Sequence, residues 1–509
     1  MNYYSWLYSI EEKIMNQQKI KWKKKHILIV FIGLCIVIAF LIFNNRESSN
    51  TLIFAGSPEY IKKNDEQKKQ LTIGVTNPPQ ESRSYLGQDQ TSRLTKRLVY
   101  EPIVYIKKDL SIEFMLADKI IFSKDGLEAK VELNKKAKFS NGDVVNAETV
   151  KKSYLELNKT MSQYSQKDLC RTIKGMEDYQ LGKNNDISGI VIDNEYELTF
   201  QFNNCSIRNI QGLSIPIFKT VENSKWAIGT GEYAYENYFH NKSIELKKNL
   251  YKHTSKYAFE KIIIKGTSTI ERKNEVDKFD LDICEVSLTS DINDIKEAKY
   301  HNVYEVNDAF HLRYLEFNLN DKAGENRDIR KTIYYSIHKS DLKQGFDKNE
   351  RINNCQLSSL NNEKFLETYD LEIAKKAYHN VKNIKEIQYY TLGDTVSALR
   401  YDIINKNLKQ VGLSLKKTSQ NDATLRYTMH QMTSPILEFE DNIMNSSLKE
   451  SYQKFIQSSY QSNCQNILKD LENYCSDEYI TVPISTVAYG LAISSDIDQD
   501  NVRDLMINS

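Results

Sequence analysis

Residues Leu127–Leu157, LEAKVELNKKAKFSNGDVVNAETVKKSYLEL, commit this chain to a mixed α/β body. Apolar side chains alternate at Leu127, Ala129, Val131 and Leu133, the period of a half-buried strand. Ser140-Asn141-Gly142-Asp143 then predicts a turn, because Asn and Gly tolerate positive φ. Asn146 stands where a helix N-cap is needed, Glu148 suits the first turn, and Val150, Tyr154 and Leu157 share one face. Taken alone, a strand, a turn and a capped helix imply packing and no chemistry.

The strongest constraint upstream is Ile27–Phe43, ILIVFIGLCIVIAFLIF, an apolar run of about 17 residues, near the lower limit for a helix crossing a bilayer. Lys19, Lys21, Lys23, Lys24 and Lys25 precede it and only Arg46 follows closely. The positive-inside rule therefore places residues 1–26 in the cytoplasm and everything after Phe43 outside. A lipoprotein is one alternative, with Cys35 as the modified residue, but the bulky Leu34 precedes it. A cleaved signal peptide is another, but no A-x-A-like site lies near Phe43. The expectation is a retained single-pass transmembrane anchor over 27–43, with a polar spacer over 44–70 broken by an apolar patch at Leu52–Phe54. Leu71–Val75 predicts a strand, stopped by Asn77-Pro78-Pro79, and Thr91–Tyr105 a helix running up to the Glu101-Pro102 break.

With 69 Lys+Arg against 68 Asp+Glu, no global field argues for nucleic acid. A chain of 509 residues is long enough for two or three packed lobes. Beyond Cys35, Cys170, Cys205, Cys284, Cys355, Cys464 and Cys475 show no CxxC or zinc-knuckle spacing. An oxidising exterior permits disulfides, Cys464–Cys475 being the nearest pair in sequence, and isolated buried thiols are the other reading. No G-x-S-x-G, H-E-x-x-H or G-x-x-x-x-G-K-[ST] element occurs, and the eight histidines are scattered. No catalytic residue, metal site or cofactor is expected.

As a string, KFSNGDVVNAETVKKSY resembles the "F-x-(D/N)-G-x-x-x-x-A-(E/D)-x-V" signature of family 5 extracellular solute-binding proteins, which include oligopeptide, dipeptide and nickel receptors of bacterial ABC importers. LVYEPIVYIKKDLSIEFMLADK (98–119) resembles the family's entry segment, with Phe114 at its Pro. IKGMEDYQLGK with ISGIVIDNEYELTFQF (173–202) resembles its Gly-Ile strand and hairpin. Ile228–Tyr251, beginning IGTGEYAYENY, resembles "G-T-G-P-Y … i-x-L-x-x-N-p-x-Y", with Glu232 at the first Pro. RYLEFNLNDKAGENRDIRKTIYYSIHKSD (313–341) and NKNLKQVGL (405–413) resemble later elements in family order.

The resemblance implies an α/β, two-lobed periplasmic-binding-protein-like fold of class II type with an extra small subdomain. Lobe I would span 71–265, with the small subdomain at about 101–190; lobe II would span 266–477; and 478–509 would return to lobe I. It implies a monomer that captures an oligopeptide or similar solute in the interlobe cleft and delivers it to ABC permease subunits. The expected ligand-binding residues are Asn77, Trp226, Gly229, Thr230, Gly231, Tyr233, Thr433 and Ser434. For several the structural reading stays open: a turn at Gly229–Gly231 and Asn77, a core ring at Trp226. Many family receptors carry a "W-x-x-D-Y-x-D-P" element whose acid pairs with a peptide amine. Here YTMHQMTSPILEFEDN (427–442) puts Ser434 at the Asp and supplies no Trp. Glu438, Glu440 and Asp441 read as a solvated acidic run. Two further functions stay open: a sensor or capture protein for a signal or antimicrobial peptide, and a binder of a nickel chelate or other non-peptide solute.

Overall fold

The computed structural model describes residues 52–54, most of 69–497, and residue 502. Residues 1–51, 55–68, 161–168, 253–258, 268–280, 287–300, 358–367, 392–394, 432–434 and 503–509 lie outside the described residues, with scattered positions such as Asn77 and Pro78. The chain divides into two units, Met1–Ser49 and Asn50–Ser509. The first unit, with the tail and the apolar run Ile27–Phe43, falls wholly outside the described residues. Among those described, no helix is long and apolar enough to cross a membrane.

The second unit is built on a mixed sheet of twelve strands. Its first half reads, from the edge inward, Tyr233–Phe239, Ser243–Lys248, Lys261–Gly266, Gln70–Val75 and Ile283–Val286. Its second half reads Ser414–Lys417, Glu386–Tyr390 and Leu425–Gln431. Two long strands, His301–Phe317 and Thr481–Ser494, join the halves. Near Val303–Asn307 they pair at Ala488–Ala492, beside Ile283–Val286; from Leu312 onward they pair at Thr481–Thr486, beside Leu425–Gln431. The register shifts between Asn307 and Leu312, so the joining ladder is interrupted where the halves meet. A second irregularity falls at Pro483, which lacks an N–H for the ladder.

Two of the sequence readings change at element ends. The helix stops at Val99 because Pro102 disfavours helical geometry just before it, and Tyr100 turns extended to bury its ring against Tyr85 and Phe218. Leu52–Phe54, expected as part of a free spacer, pairs antiparallel with Val303 and Tyr304. In the segment 478–509, strand Thr481–Ser494 is apolar and inward-facing, with Val482, Ile484, Leu491 and Ile493 fully buried.

The opening motif sits in a separate four-stranded sheet, Ala117–Phe122, Glu128–Leu133, Glu197–Gln201 and Ile190–Asn194. Ala129, Val131 and Leu133 point into its core, and Gly142 takes φ +92° in the turn. Asn146 caps helix Ala147–Thr160 by accepting from Thr149 N at 2.9 Å, while Thr149 Oγ1 accepts from Asn146 N at 3.0 Å. Val150, Tyr154 and Leu157 are fully buried on the expected face. Cys464 and Cys475 are free thiols, so the pair nearest in sequence forms no bridge.

Candidate functional site

The Gly229–Tyr233 turn closes on the end of helix Gln90–Val99. Gly231 N donates to Val99 O at 2.9 Å, and Glu101 N donates to Thr230 Oγ1 at 3.3 Å. A Cβ on Gly229 would lie 1.9 Å from Val99 O, and one on Gly231 2.3 Å from Leu98 O, so glycine alone lets the two backbones meet. Asn249 Nδ2 donates to Gly231 O at 2.8 Å, and Ser140 N of the opening turn donates to Gly229 O at 2.9 Å. Tyr233 is fully buried and donates its hydroxyl to Phe259 O at 2.9 Å. Trp226 is half-buried, its ring stacked on Tyr235 with centroids 5.3 Å apart. The structure thus brings Trp226, Gly229, Thr230, Gly231 and Tyr233 into one packed junction. Asn77, Thr433 and Ser434 lie outside the described residues.

A buried ionic junction ties the segment after the small sheet to helix Pro435–Met444. Glu440 accepts from Ser206 Oγ at 2.7 Å, Ile207 N at 2.9 Å, Arg208 Nη1 at 2.6 Å and Tyr452 Oη at 3.0 Å. Arg208 also donates to Asp441 at 2.8 Å, and Tyr460 Oη donates to Ser206 O at 2.7 Å. This corrects the expectation of a solvated acidic run: Glu440 is 2% exposed, on the same inward side as Phe439 and Ile443. Its desolvation is offset by four donors, an arrangement that fixes orientation more than it adds stability. The side chain of Glu438 lies outside the described residues.

The third concentration of polar groups lies beside the register break of the long strands. Arg313 faces Ser485 across the ladder, and Glu350 enters on the short strand Glu350–Ile352, which pairs with Ser485–Val487. Glu350 accepts from Arg400 Nη2 at 2.6 Å and from the Ser485 hydroxyl, and forms an ion pair with Arg313, whose Nη1 lies 2.9 Å away. Next to it, Arg351 grips Glu305 through two contacts of 2.6 Å, spanning the break. The Arg400 guanidinium lies over the Tyr427 ring at 5.1 Å and the Phe346 ring at 5.9 Å.

Unlike the Gly229–Tyr233 turn, this cluster is incompletely satisfied, as is the ionic junction at Arg208 Nε. Arg400 Nε, Tyr427 Oη, Tyr389 Oη and Thr391 Oγ1 are buried without a hydrogen-bond partner among the described residues. Each such group costs about 1–3 kcal/mol if it stays unmatched. Burial pushes the Tyr389 and Tyr427 phenols far above their ordinary range, so both remain donors. Sequence reasoning did not assemble these residues. Arg313 and Tyr427 lie in the segments 313–341 and 427–442, but their partners come from distant stretches and share no local pattern. Among the described residues, no group of three His, Cys, Asp or Glu is arranged to hold a metal ion.

The family described as bacterial extracellular solute-binding proteins, family 5 middle, matches residues 112–457. A curated relative, the oligopeptide-binding protein OppA of Bacillus subtilis (strain 168), is 26% identical over 341 residues, covering 62% of this chain. The matched part spans 61% of that relative's length. Among solved structures, the periplasmic murein tripeptide binding protein MppA in its unliganded open form aligns with a TM-score of 0.67 at 14% identity, over 87% of this chain and 96% of its own. The ABC transporter substrate binding protein CtaP of Listeria monocytogenes aligns with a TM-score of 0.55 at 17% identity, over 84% and 95%. At these identities the structural likeness establishes a periplasmic-binding-protein-like α/β fold.

Proposed function

The chain belongs to the family 5 bacterial extracellular solute-binding proteins, and on that premise we propose that it is a membrane-anchored receptor capturing oligopeptides between two lobes and delivering them to an ABC importer. The single observation that carries the capture reading is the interrupted ladder between His301–Phe317 and Thr481–Ser494. Two half-sheets joined, among the described residues, by two long strands with a register break at the junction make a hinge about which lobes can close on a solute. Binding energy gained by touching both lobes favours the closed form, so capture and closure are one equilibrium. The peptide class rests on the Bacillus subtilis relative, which is named for oligopeptide binding. Extended peptides suit such a cleft because their backbone offers the same donors and acceptors whatever the sequence.

In this reading Ile27–Phe43 tethers the protein and 1–26 stays inside the cell. Asn77, Thr433 and Ser434 remain assigned to the cleft. Gly229, Thr230, Gly231 and Tyr233, with Trp226 beside them, act from beneath it, holding the wall that helix Gln90–Val99 and the opening turn build. No bond-making chemistry is required of any residue. The test is a thermal shift of the full-length protein in detergent with a random-sequence peptide library. A ligand at about 100 times its Kd adds about 2.7 kcal/mol to stability. A concentration-dependent rise in Tm supports capture of peptides; an unmoved Tm across the library removes the peptide assignment.

A further inference from the structure

We propose that the seam between the small four-stranded sheet and helix Lys449–Asn463 is a second binding site, which takes a small amphipathic carboxylate: a flat apolar body with one anionic end. It is separate from peptide capture and does not depend on it. None of its lining residues belongs to the Gly229–Tyr233 turn, to the Arg400 cluster or to the residues assigned to the cleft.

Two independent observations meet at this place. The first is shape. Strand Ala117–Phe122 is an edge of the small sheet, and among the described residues no strand covers its outer side. A cavity of about 520 Å³ opens between this strand and the end of helix Lys449–Asn463. Cavities that take small molecules measure about 300–1,000 Å³ and combine apolar walls with a few polar groups. Here Phe114, Ile120, Phe122 and Tyr460 supply the apolar wall. The rings of Phe122 and Tyr460 stack with centroids 4.3 Å apart, and Tyr460 Oη donates to Ser206 O at 2.7 Å. The wall is therefore in place before a ligand arrives, and its ring surfaces suit a flat apolar body. Ile121, at the same cavity, is 48% exposed, and hydrocarbon laid over it would be stabilised by the area removed from water.

The second observation is charge. Among the described residues, Lys124 is the one charged side chain in the lining, and it forms no ion pair. The charges around it are engaged. Lys119 pairs with Glu132 at 3.5 Å and Lys107 with Glu113 at 3.1 Å. Asp125, next in the chain, accepts from Ser123 Oγ at 2.5 Å and Leu127 N at 3.1 Å and does not line the cavity. Gln461 Nε2 donates to Lys124 O and so holds the lysine backbone at the rim. A ligand with its apolar body on the aromatic wall thus meets a cation at the mouth, with the Gln461 and Asn463 amides and the Ser462 hydroxyl beside it. A cationic ligand would find no carboxylate in this lining.

The experiment uses the full-length protein in lipid nanodiscs, because detergent tails would themselves enter an apolar cavity, and the probe is phenylacetate. Cys464 lines the cavity as a free thiol, so its alkylation by iodoacetamide, followed by peptide mass spectrometry, reports occupancy locally. The expected result is a saturable slowing, about tenfold when the probe stands at ten times its Kd, since only the unoccupied form reacts. Phenylacetamide keeps the ring, loses the charge, and should bind about threefold more weakly, the modest difference expected at an exposed lysine. Acetate, which has the charge without the body, should not protect at the same concentrations. Lys124→Gln should bring the acid and the amide level, and Ile121→Asp, at an exposed position, should abolish protection by both. Unslowed alkylation under phenylacetate overturns the site, as does protection that survives in Ile121→Asp or protection by acetate. Equal binding of acid and amide by the unmodified protein overturns its preference for an anion, as does a preference that persists in Lys124→Gln. The readout is local to Cys464, so peptides that fail to bind elsewhere leave a positive result standing, and a negative one leaves peptide capture untouched.

Discussion

The Gly229–Tyr233 turn and the Arg400 cluster are both buried and polar, yet they are finished to different degrees. At the turn, Tyr233 Oη has Phe259 O, Gly231 O has Asn249, and two glycines admit the backbone of Leu98 and Val99. At the cluster, Tyr389 Oη, Tyr427 Oη, Thr391 Oγ1 and Arg400 Nε are equally buried and lack partners among the described residues. A satisfied buried network specifies one conformation, whereas an incomplete one is costly unless something else completes it. The turn therefore belongs to the packed scaffold, and the cluster is the less completed of the two.

Substitutions can break that contrast, and the largest effect is expected where a satisfied charge loses its place. Glu440→Ala leaves Arg208 buried without its main partner and should lower unfolding free energy by about 3–5 kcal/mol. Urea denaturation followed by far-UV circular dichroism measures it, and a change within 1 kcal/mol, roughly the span of an ordinary surface substitution, would mean the junction is not a fixed one. Gly229→Ala comes next. Its new Cβ meets a backbone carbonyl that cannot rotate away, so a loss of about 3 kcal/mol, the upper range for overpacking, is expected in the same assay.

The paired change Tyr→Phe sharpens the comparison directly. Tyr233→Phe strands the Phe259 carbonyl and should cost about 1 kcal/mol, while Tyr389→Phe deletes an unmatched hydroxyl and should be neutral or stabilising by about 1 kcal/mol. Opposite signs in ligand-free protein support that contrast; a comparable loss at both positions would show that Tyr389 has a partner after all.

A separate effect concerns pH. Glu472 accepts from Gln356 N and Leu357 N at 2.5 and 2.7 Å, and burial pushes its carboxyl up to about 7. The folded form therefore holds this proton more tightly than the unfolded chain. The stability it contributes is complete below pH 4.5, its ordinary value, and is lost as pH rises through about 7. Glu472→Gln should flatten the pH dependence of unfolding free energy between those limits by up to about 3 kcal/mol. An unchanged profile would assign the titration elsewhere.

The same contrast explains what the sequence made legible. The strand, turn and capped helix of Leu127–Leu157 were readable because each signal is local: alternation, Asn141-Gly142, and the Asn146–Thr149 cap all act within a few residues. The helix from Gln90 is shorter than its local pattern predicts because extended Tyr100 packs on Tyr85 and on the sequence-distant Phe218. Glu440 was read as solvated because its neighbours are acidic, although its partners lie at 206–208 and 452. Arg313, Glu350, Tyr389, Arg400, Tyr427 and Ser485 carry no common spacing at all. They meet only when parallel strands and the long joining ladder have formed, so a motif scan finds the family and passes over the cluster.

The central claim, capture of peptides between the two half-sheets, is tested most directly by mass spectrometry of the full-length protein purified from its own cells without added ligand. Denaturation should release a mixture of short peptides, in near-stoichiometric amount. Release of no peptide, combined with an unmoved Tm in the peptide library, would contradict the account.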